Sequence, residues 1–297
     1  MESQNLEINQ NQIESKANRN HKDSLFRFIF NGEDDRRKGW LLSLYNALNN
    51  SNYTDINDLE ITTIQNVIFI TMKDDLSFLI DSEMNLYEHQ STVNPNMPLR
   101  GLMYFSQLYQ KYLGKKNKQL YGSSIVKIPS PKFIVFYNGT AKQEDIIKYR
   151  LSDAFEKPAE NGEFEWTATV INVNTDHNLA LQKKCKALYD YSSFVTNVRK
   201  RIAGGQTADE AIRDAVDDAI NNKLLDGLFE EQKQEIMGMI LTEFNKEEYE
   251  RVIRAEGAEE KAIEAAINSI KLGLSDDQIT AITGLSLEKI TELKKQI

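Results

Sequence analysis

A single cysteine, Cys185, stands among 297 residues. It excludes an intrachain disulfide, and no cysteine-based zinc site can form within one chain. Histidine is almost as scarce. His21, His89 and His177 are scattered, and no H-E-x-x-H spacing appears. There is no Gly-rich phosphate loop. The longest apolar runs, such as Val67-Ile-Phe-Ile70 and Phe133-Ile-Val-Phe136, are far too short to cross a bilayer. The opening Met1-Glu-Ser-Gln-Asn-Leu-Glu7 has neither a basic n-region nor an apolar h-region, so no signal peptide is expected. These absences lead to the expectation of a cytoplasmic protein with no membrane partner.

The chain also lacks an excess of positive charge. Its formal net charge is −9, the wrong sign for a protein that holds DNA over a wide surface. The distribution changes that judgement. Residues 1–200 hold 24 Lys+Arg against 24 Asp+Glu, while residues 201–297 hold 12 against 21. The first two thirds are therefore neutral. Lysines cluster at Lys111, Lys115, Lys116 and Lys118, and at Lys183, Lys184 and Lys186. A solvated helix face explains these patches as well as a nucleic-acid contact does. Weak, non-specific DNA affinity is the expectation.

What is present is enough to bury a real core: 40% of residues are hydrophobic. Residues 1–20 are polar, rich in Asn and Gln, and read as a disordered segment. Residues 23–49 read as helices broken near Asn31-Gly-Glu-Asp-Asp-Arg36. Trp40, Leu41, Leu44, Tyr45 and Leu48 form a core-facing stripe. Extended segments follow at Leu59–Ile64 and Val67–Met72. A helix then opens at Leu99 with Pro98 in its first turn, and strands follow at 132–137 and Phe164–Val173. Beyond residue 178 the pattern is helical. One helix is expected over Leu179–Arg201, a second after the capping box Thr207-Ala-Asp-Glu210, a third over Phe229–Phe244, and a charged one over Glu247–Ala266. The tail has Ser275 and Ser286 as caps with Gly284 between them, the spacing of two short helices around a turn. DNA contact through Lys289, Lys294 and Lys295 is one reading of that hairpin. A small capping or oligomerisation element is the other, and the acidic approach helix favours it.

The candidate chemistry lies at Asp75-Leu-Ser-Phe-Leu-Ile-Asp81 and Asn85-Leu-Tyr-Glu88-His-Gln90. These read as two strands around a turn at Ser82–Asn85. Period-two alternation puts Glu88 and Gln90 on one face and Tyr87 and His89 on the other. If the strands pair, Asp75 approaches the Glu88/Gln90 end. Two carboxylates and an amide in one place suit a divalent-metal site for phosphodiester cleavage. Asp74 and Asp81 compete with Asp75, which is preferred. A half-solvated acidic hairpin with no ligand explains the pattern equally well. Arg100, near the start of the following helix, is a candidate phosphate contact, with a surface salt bridge as its plainer role.

At these residues the chain resembles the PD-(D/E)XK nuclease superfamily, in the branch of nuclease-family transposases related to Rpn-type recombination-promoting nucleases. The ordered blocks are Lys22-Asp-Ser-Leu-Phe-Arg-Phe-Ile-Phe30, Leu42–Leu48, Asp75 with Glu88-His-Gln90, Asn94-Pro-Asn-Met-Pro-Leu-Arg-Gly101, Phe133-Ile-Val-Phe-Tyr-Asn-Gly139, Leu188-Tyr-Asp-Tyr-Ser-Ser-Phe194 and the tail from Leu272 to Ser286. The resemblance implies an α/β fold with a restriction-endonuclease-like core: a central mixed sheet flanked by helices, with an all-helical C-terminal extension. It implies a magnesium-dependent DNA endonuclease, with manganese as substitute, in which Asp75 and Glu88 bind the metal. The family lysine is replaced by Gln90, as in E-x-Q variants of the branch. Gln orients water by hydrogen bonds but brings no charge. Asp23 matches an N-terminal Asp of the branch, although a helix N-cap is its preferred reading. The expected layout is a nuclease-like domain over 21–200, a helical lobe over 201–250, and a charged helix with a helix-turn-helix-like tail over 251–297. Homo-oligomerisation through the C-terminal helices is a further expectation. The rival to catalysis is an impaired nuclease-fold module that binds DNA or protein through its tail.

Overall fold

In the computed structural model, residues 25–62, 76–115, 120–157 and 164–296 are described. The elements in chain order are α1 (Leu25–Phe30), α2 (Asp35–Asn49), β1 (Glu60–Ile61), β2 (Leu76–Ile80), β3 (Glu83–Gln90), α3 (Met97–Lys115), β4 (Ser130–Tyr137), β5 (Ile146–Arg150), β6 (Thr167–Asn172), α4 (Leu179–Lys184), α5 (Lys186–Ala203), α6 (Ala208–Asn221), α7 (Leu228–Glu231), α8 (Lys233–Lys271), α9 (Asp276–Thr283) and α10 (Leu287–Gln296). The fold is α/β with an open mixed sheet in the order β1-β2-β3-β4-β6-β5. Strands β3, β4 and β6 run parallel to one another, and the pairs β1–β2, β2–β3 and β5–β6 are antiparallel.

The helix break expected near Asn31–Arg36 is present. Asp34 caps α2, its carboxylate accepting from the Arg37 amide at 3.0 Å. The hairpin turn falls earlier than the sequence suggests. It centres on Asp81 and Ser82, both left-handed at φ 45° and 62°, so β3 begins at Glu83 rather than Asn85. Two central residues at positive φ match the twist of the flanking strands, which favours this two-residue turn over a longer one.

Strand β3 is buried on both faces, as the centre of a covered sheet must be. Met84 and Leu86 pack with Phe133, Val135, Ala168 and Val170 beneath Tyr104, Phe105 and Leu108 of α3. Tyr87 and His89 point to the opposite layer. There the Phe26 ring of α1 stacks on His89 at 5.1 Å, and Tyr87 meets Phe78 edge-on at 5.0 Å. The core thus consists of two layers, one on each side of β3 and β4.

Two expectations about elements need correction, and one strand is unforeseen. Residues 179–201 form two helices, because Cys185 leaves the helical region at φ −124°, ψ 95°. Its thiol is buried there, and burial raises its pKa. Residues 233–271 form one helix rather than two. No proline interrupts the segment, and its Ala, Glu and Lys content favours continuation. Strand β5 has no counterpart in the sequence reading. It is an edge strand whose exposed residues hide the apolar signal.

The chain divides into two compact units, Met1–Thr242 and Glu243–Ile297. The sheet, α1–α7 and residues 233–242 belong to the first. In it Asp190 anchors a turn carrying three non-glycine residues at positive φ: Lys223, Leu225 and Asp226. The buried Asp190 carboxylate accepts from Lys186 Nζ at 2.6 Å and from the Leu225 amide at 2.8 Å. The second unit has its own small core of Ala266, Ile279, Ile290 and Leu293. Ser275 closes a capping box with Gln278, and Gly284 ends α9 at φ 73°. Among the described residues no helix is long and apolar enough to cross a membrane.

Candidate functional site

The site is organised by the parallel pairing of β3 and β4. Their register sets Glu88 beside Val135 and Gln90 beside Tyr137. Glu88 and Gln90 share the face covered by α3, and Pro98 lies within the first turn of that helix. This arrangement brings Arg100 down onto Glu88. Arg100 Nη2 lies 2.6 Å from Glu88 Oε1, and Gln90 Nε2 donates to the same oxygen at 2.5 Å. Three candidate residues therefore meet at one carboxylate, which is 1% exposed. A buried carboxylate needs such donors, because an unpaired charge in this layer costs several kcal/mol.

Arg100 forms the salt bridge of its plainer reading, but not one that lies wholly at the surface. Its acid partner lies inside the sheet-helix layer. Arg100 keeps 25% of its side chain exposed, so the guanidinium spans from the buried carboxylate towards solvent. Its Nη1 faces Met97 Sδ at 3.7 Å.

Asp23, Asp74 and Asp75 lie outside the described residues. Asp81 is placed at the turn end of the hairpin, where it accepts from Tyr53 Oη at 2.6 Å. The hairpin register runs from Ile80↔Glu83 at the turn to Leu76↔Tyr87 at the far end. Asp81 is therefore at the wrong end of β2 to join Glu88. Among the described residues no group of three His, Cys, Asp or Glu side chains is arranged to hold a metal ion. Glu88 is nonetheless a hard oxygen donor of the type magnesium takes, and magnesium often relies on one or two carboxylates with water filling its shell.

A second cluster at the same sheet edge does not stand out in the sequence. Tyr137↔Asn172 pairing aligns the carboxyl ends of β4 and β6 with that of β3. Carboxamides stitch these ends together. Asn172 Nδ2 donates to Gln143 O at 3.2 Å, Asn174 Nδ2 to Gly139 O at 3.1 Å, and Gln182 Nε2 to His177 O at 2.8 Å. Arg199 of α5 donates to Asn138 O and, at 3.4 Å, to Asn174 Oδ1. The available signal is an Asn at each strand exit, in Tyr137-Asn-Gly139 and Asn172-Val-Asn174. Those residues read only as turn formers. Gly139 has no room for a side chain, since a Cβ would come within 2.0 Å of Ser91 O. The exits of β3 and β4 are therefore in direct contact.

On the opposite layer His89 Nε2 lies 2.7 Å from Tyr191 Oη, which also accepts from Asn138 Nδ2 at 2.6 Å. Burial drives the His89 pKa down to about 3, and the nearby Arg199 charge adds to the shift. His89 is thus a neutral hydrogen-bonding group near pH 7, not a general acid.

In the second unit, Lys289 pairs with Glu292 at 3.6 Å and Lys294 with Asp276. Two of the three tail lysines are therefore answered by acids of the same unit.

No family model matches this chain, and neither a curated protein nor a solved structure does.

Proposed function

We propose that the protein is a metal-dependent DNA endonuclease whose centre is Glu88. The observation that carries the reading is the convergence of Arg100 and Gln90 on the buried Glu88 carboxylate at the exit of a central strand. The residue types fit the chemistry: a hard-oxygen ligand, a water-orienting amide, and a guanidinium whose fork matches a phosphate. Strand exits in open α/β sheets are also where ligands commonly bind. The resemblance of the ordered sequence blocks to PD-(D/E)XK nucleases, including their transposase branch, supplies the substrate class.

Glu88 and Asp75 are the residues that would hold magnesium, or manganese in its place. A bound ion would supply activation of water and charge neutralisation at the scissile phosphate. Gln90 orients the attacking water through its carboxamide. Arg100, already 25% exposed, turns from Glu88 Oε1 to the phosphate as the substrate enters. In the free protein, Arg100 holds the charge of Glu88 in place.

A second reading has a specific observation in its favour. Glu88 Oε1 is occupied by two donors, and the position of the family lysine carries the neutral Gln90. On that reading the chain is a nuclease-fold module that binds DNA without cutting it.

The experiment is nicking of supercoiled plasmid in magnesium, manganese or EDTA, with wild type and Glu88→Gln. Metal-dependent nicking by wild type that Glu88→Gln abolishes is the expected result. A well-folded wild type that nicks in neither metal would overturn the endonuclease reading in favour of the binding module.

A further inference from the structure

We infer that Lys142 and Lys200 form a second phosphate-contact point, which receives the backbone of the same DNA strand a few nucleotides from Glu88. This rests on the endonuclease reading for the identity of the strand. The two lysines flank an open cleft at the carboxyl ends of β4 and β6, roofed by the connection after β4 and floored by α5. Both are exposed, and neither has an ionic or hydrogen-bonded side-chain partner among the described residues.

The charge balance of the cleft favours an anion. Lys142 and Lys200 line it against Asp176, while Arg199 at its floor is engaged with the strand ends. His177, also in the lining, meets Asp145 with its Nδ1 at 2.6 Å. Arg199 braces the floor through Asn138 O and Asn174 Oδ1, so the cationic wall is tied to the strand ends and needs little reorganisation on binding.

The cleft is continuous with the candidate catalytic edge. Gln143 lines both this cleft and the smaller one that contains Gln90. Ser91 and Gly139 are too close for a Cβ between them. Gln90, Tyr137 and Asn172 stand in register across three parallel strands. Two strand spacings make about 10 Å. That is the rise of roughly three nucleotides at about 3.4 Å each. A strand that meets Arg100 with its scissile phosphate and runs along these strand ends brings a later phosphate to the cleft that Lys142 and Lys200 line. A cleft of this kind also answers the difficulty of the net charge: binding needs a local cationic track, not a basic protein.

The test is fluorescence anisotropy of a labelled DNA duplex with the full chain in EDTA, so that binding is read without cutting. Wild type, Lys142→Ala/Lys200→Ala and the control Lys148→Ala/Lys183→Ala are compared across salt concentrations. All four lysines are exposed, so the variants keep the fold. The expected result is at least a tenfold loss of affinity at low salt in the Lys142/Lys200 variant. The slope of log K against log salt should also shrink by about 0.9, for the one phosphate no longer neutralised. The control should bind as wild type does. Equal losses in both double variants, an unchanged slope, or no binding by wild type would overturn the inference. Nicking separates it from the reading it rests on. DNA bound through Lys142 and Lys200 but never cut defeats the endonuclease and leaves the contact point standing. Cutting that ignores the two lysines does the reverse.

Discussion

Arg100 Nη2 sits 2.6 Å from Glu88 Oε1, but the two side chains are not equally buried: that of Glu88 is 1% exposed and that of Arg100 25%. The asymmetry decides what each deletion costs. Arg100→Ala leaves a charge inside the layer and should destabilise the protein by about 3 kcal/mol. Glu88→Gln leaves a guanidinium that can reach water and should cost about 1 kcal/mol. Urea titration of both variants checks the order. Equal costs would show that the pair is not holding a buried charge.

Gln90 occupies the position where the resembled family has lysine, and it donates to Glu88 at 2.5 Å. A Gln90→Lys variant brings a full positive charge to the same atom. If the endonuclease reading is right, metal-dependent nicking should rise about tenfold, below the 10²–10³ range measured for a single transition-state donor. Initial nicking rates on supercoiled plasmid provide the measurement. A rate that falls or stays flat would mean that Gln90 is not beside the reacting water.

The His89 pKa is depressed from its ordinary value to about 3 by burial. The folded state therefore binds fewer protons than the unfolded chain between about pH 6.5 and pH 3. The stabilisation is fully present above the unfolded value and is lost as pH falls through that window. The slope from this one group is about 1.4 kcal/mol per pH unit. His89→Phe keeps the ring stacked on Phe26 and removes the titration. It should cost about 1 kcal/mol near pH 7 through the lost Tyr191 hydrogen bond. Its stability should then decline less steeply than that of wild type from pH 6 to pH 4. Parallel declines in denaturant titrations would locate the acid sensitivity elsewhere.

Asp190 holds the Leu225 amide at 2.8 Å in a turn with three non-glycine residues at positive φ. That acceptor helps offset the backbone strain at Leu225. Asp190→Ala should cost about 2–4 kcal/mol. Thermal unfolding followed by tryptophan emission is a suitable readout, since Trp40 donates to Asp226 in the same turn at 3.2 Å.

The second unit has its own core, and both tryptophans, Trp40 and Trp166, belong to the first. Ile290→Asp buries a carboxylate in that small core and should unfold it, at a cost of about 3 kcal/mol or more. Helical circular dichroism should fall while tryptophan emission keeps its wild-type midpoint. Light scattering on the same variant tests the tail as an oligomerisation element, which predicts a drop in mass.

Much of the candidate site was legible because strand side chains alternate. Glu88, Gln90 and their separation from Tyr87 and His89 follow from period two alone, and so does the shared face that Arg100 meets. The helix caps at Thr207, Ser275 and Gly284 were legible for a similar reason: each depends on residues within a few positions of one another. Other features depend on pairings that sequence spacing does not encode. The turn at Asp81-Ser82 moved β3 by two residues because the strand pairing selected its geometry. The break at Cys185 and the edge strand β5 are set by packing against distant elements.

The sequence by itself determined the alternation that pairs Glu88 with Gln90, the α/β class and the acid-rich tail, because local periodicity and composition carry that information. Only the tertiary structure decided that Arg100 reaches inward to Glu88. It also decided that the carboxamides of Asn172 and Asn174 share one sheet edge with Arg199, and that Lys289 and Lys294 are answered by acids. Lys289 needs one helical turn to meet Glu292, but the other pairs join residues from 12 to 61 positions apart in the chain. Such pairings exist only once folding has brought distant segments together, the sheet for the strand ends and the small helical core for Lys294.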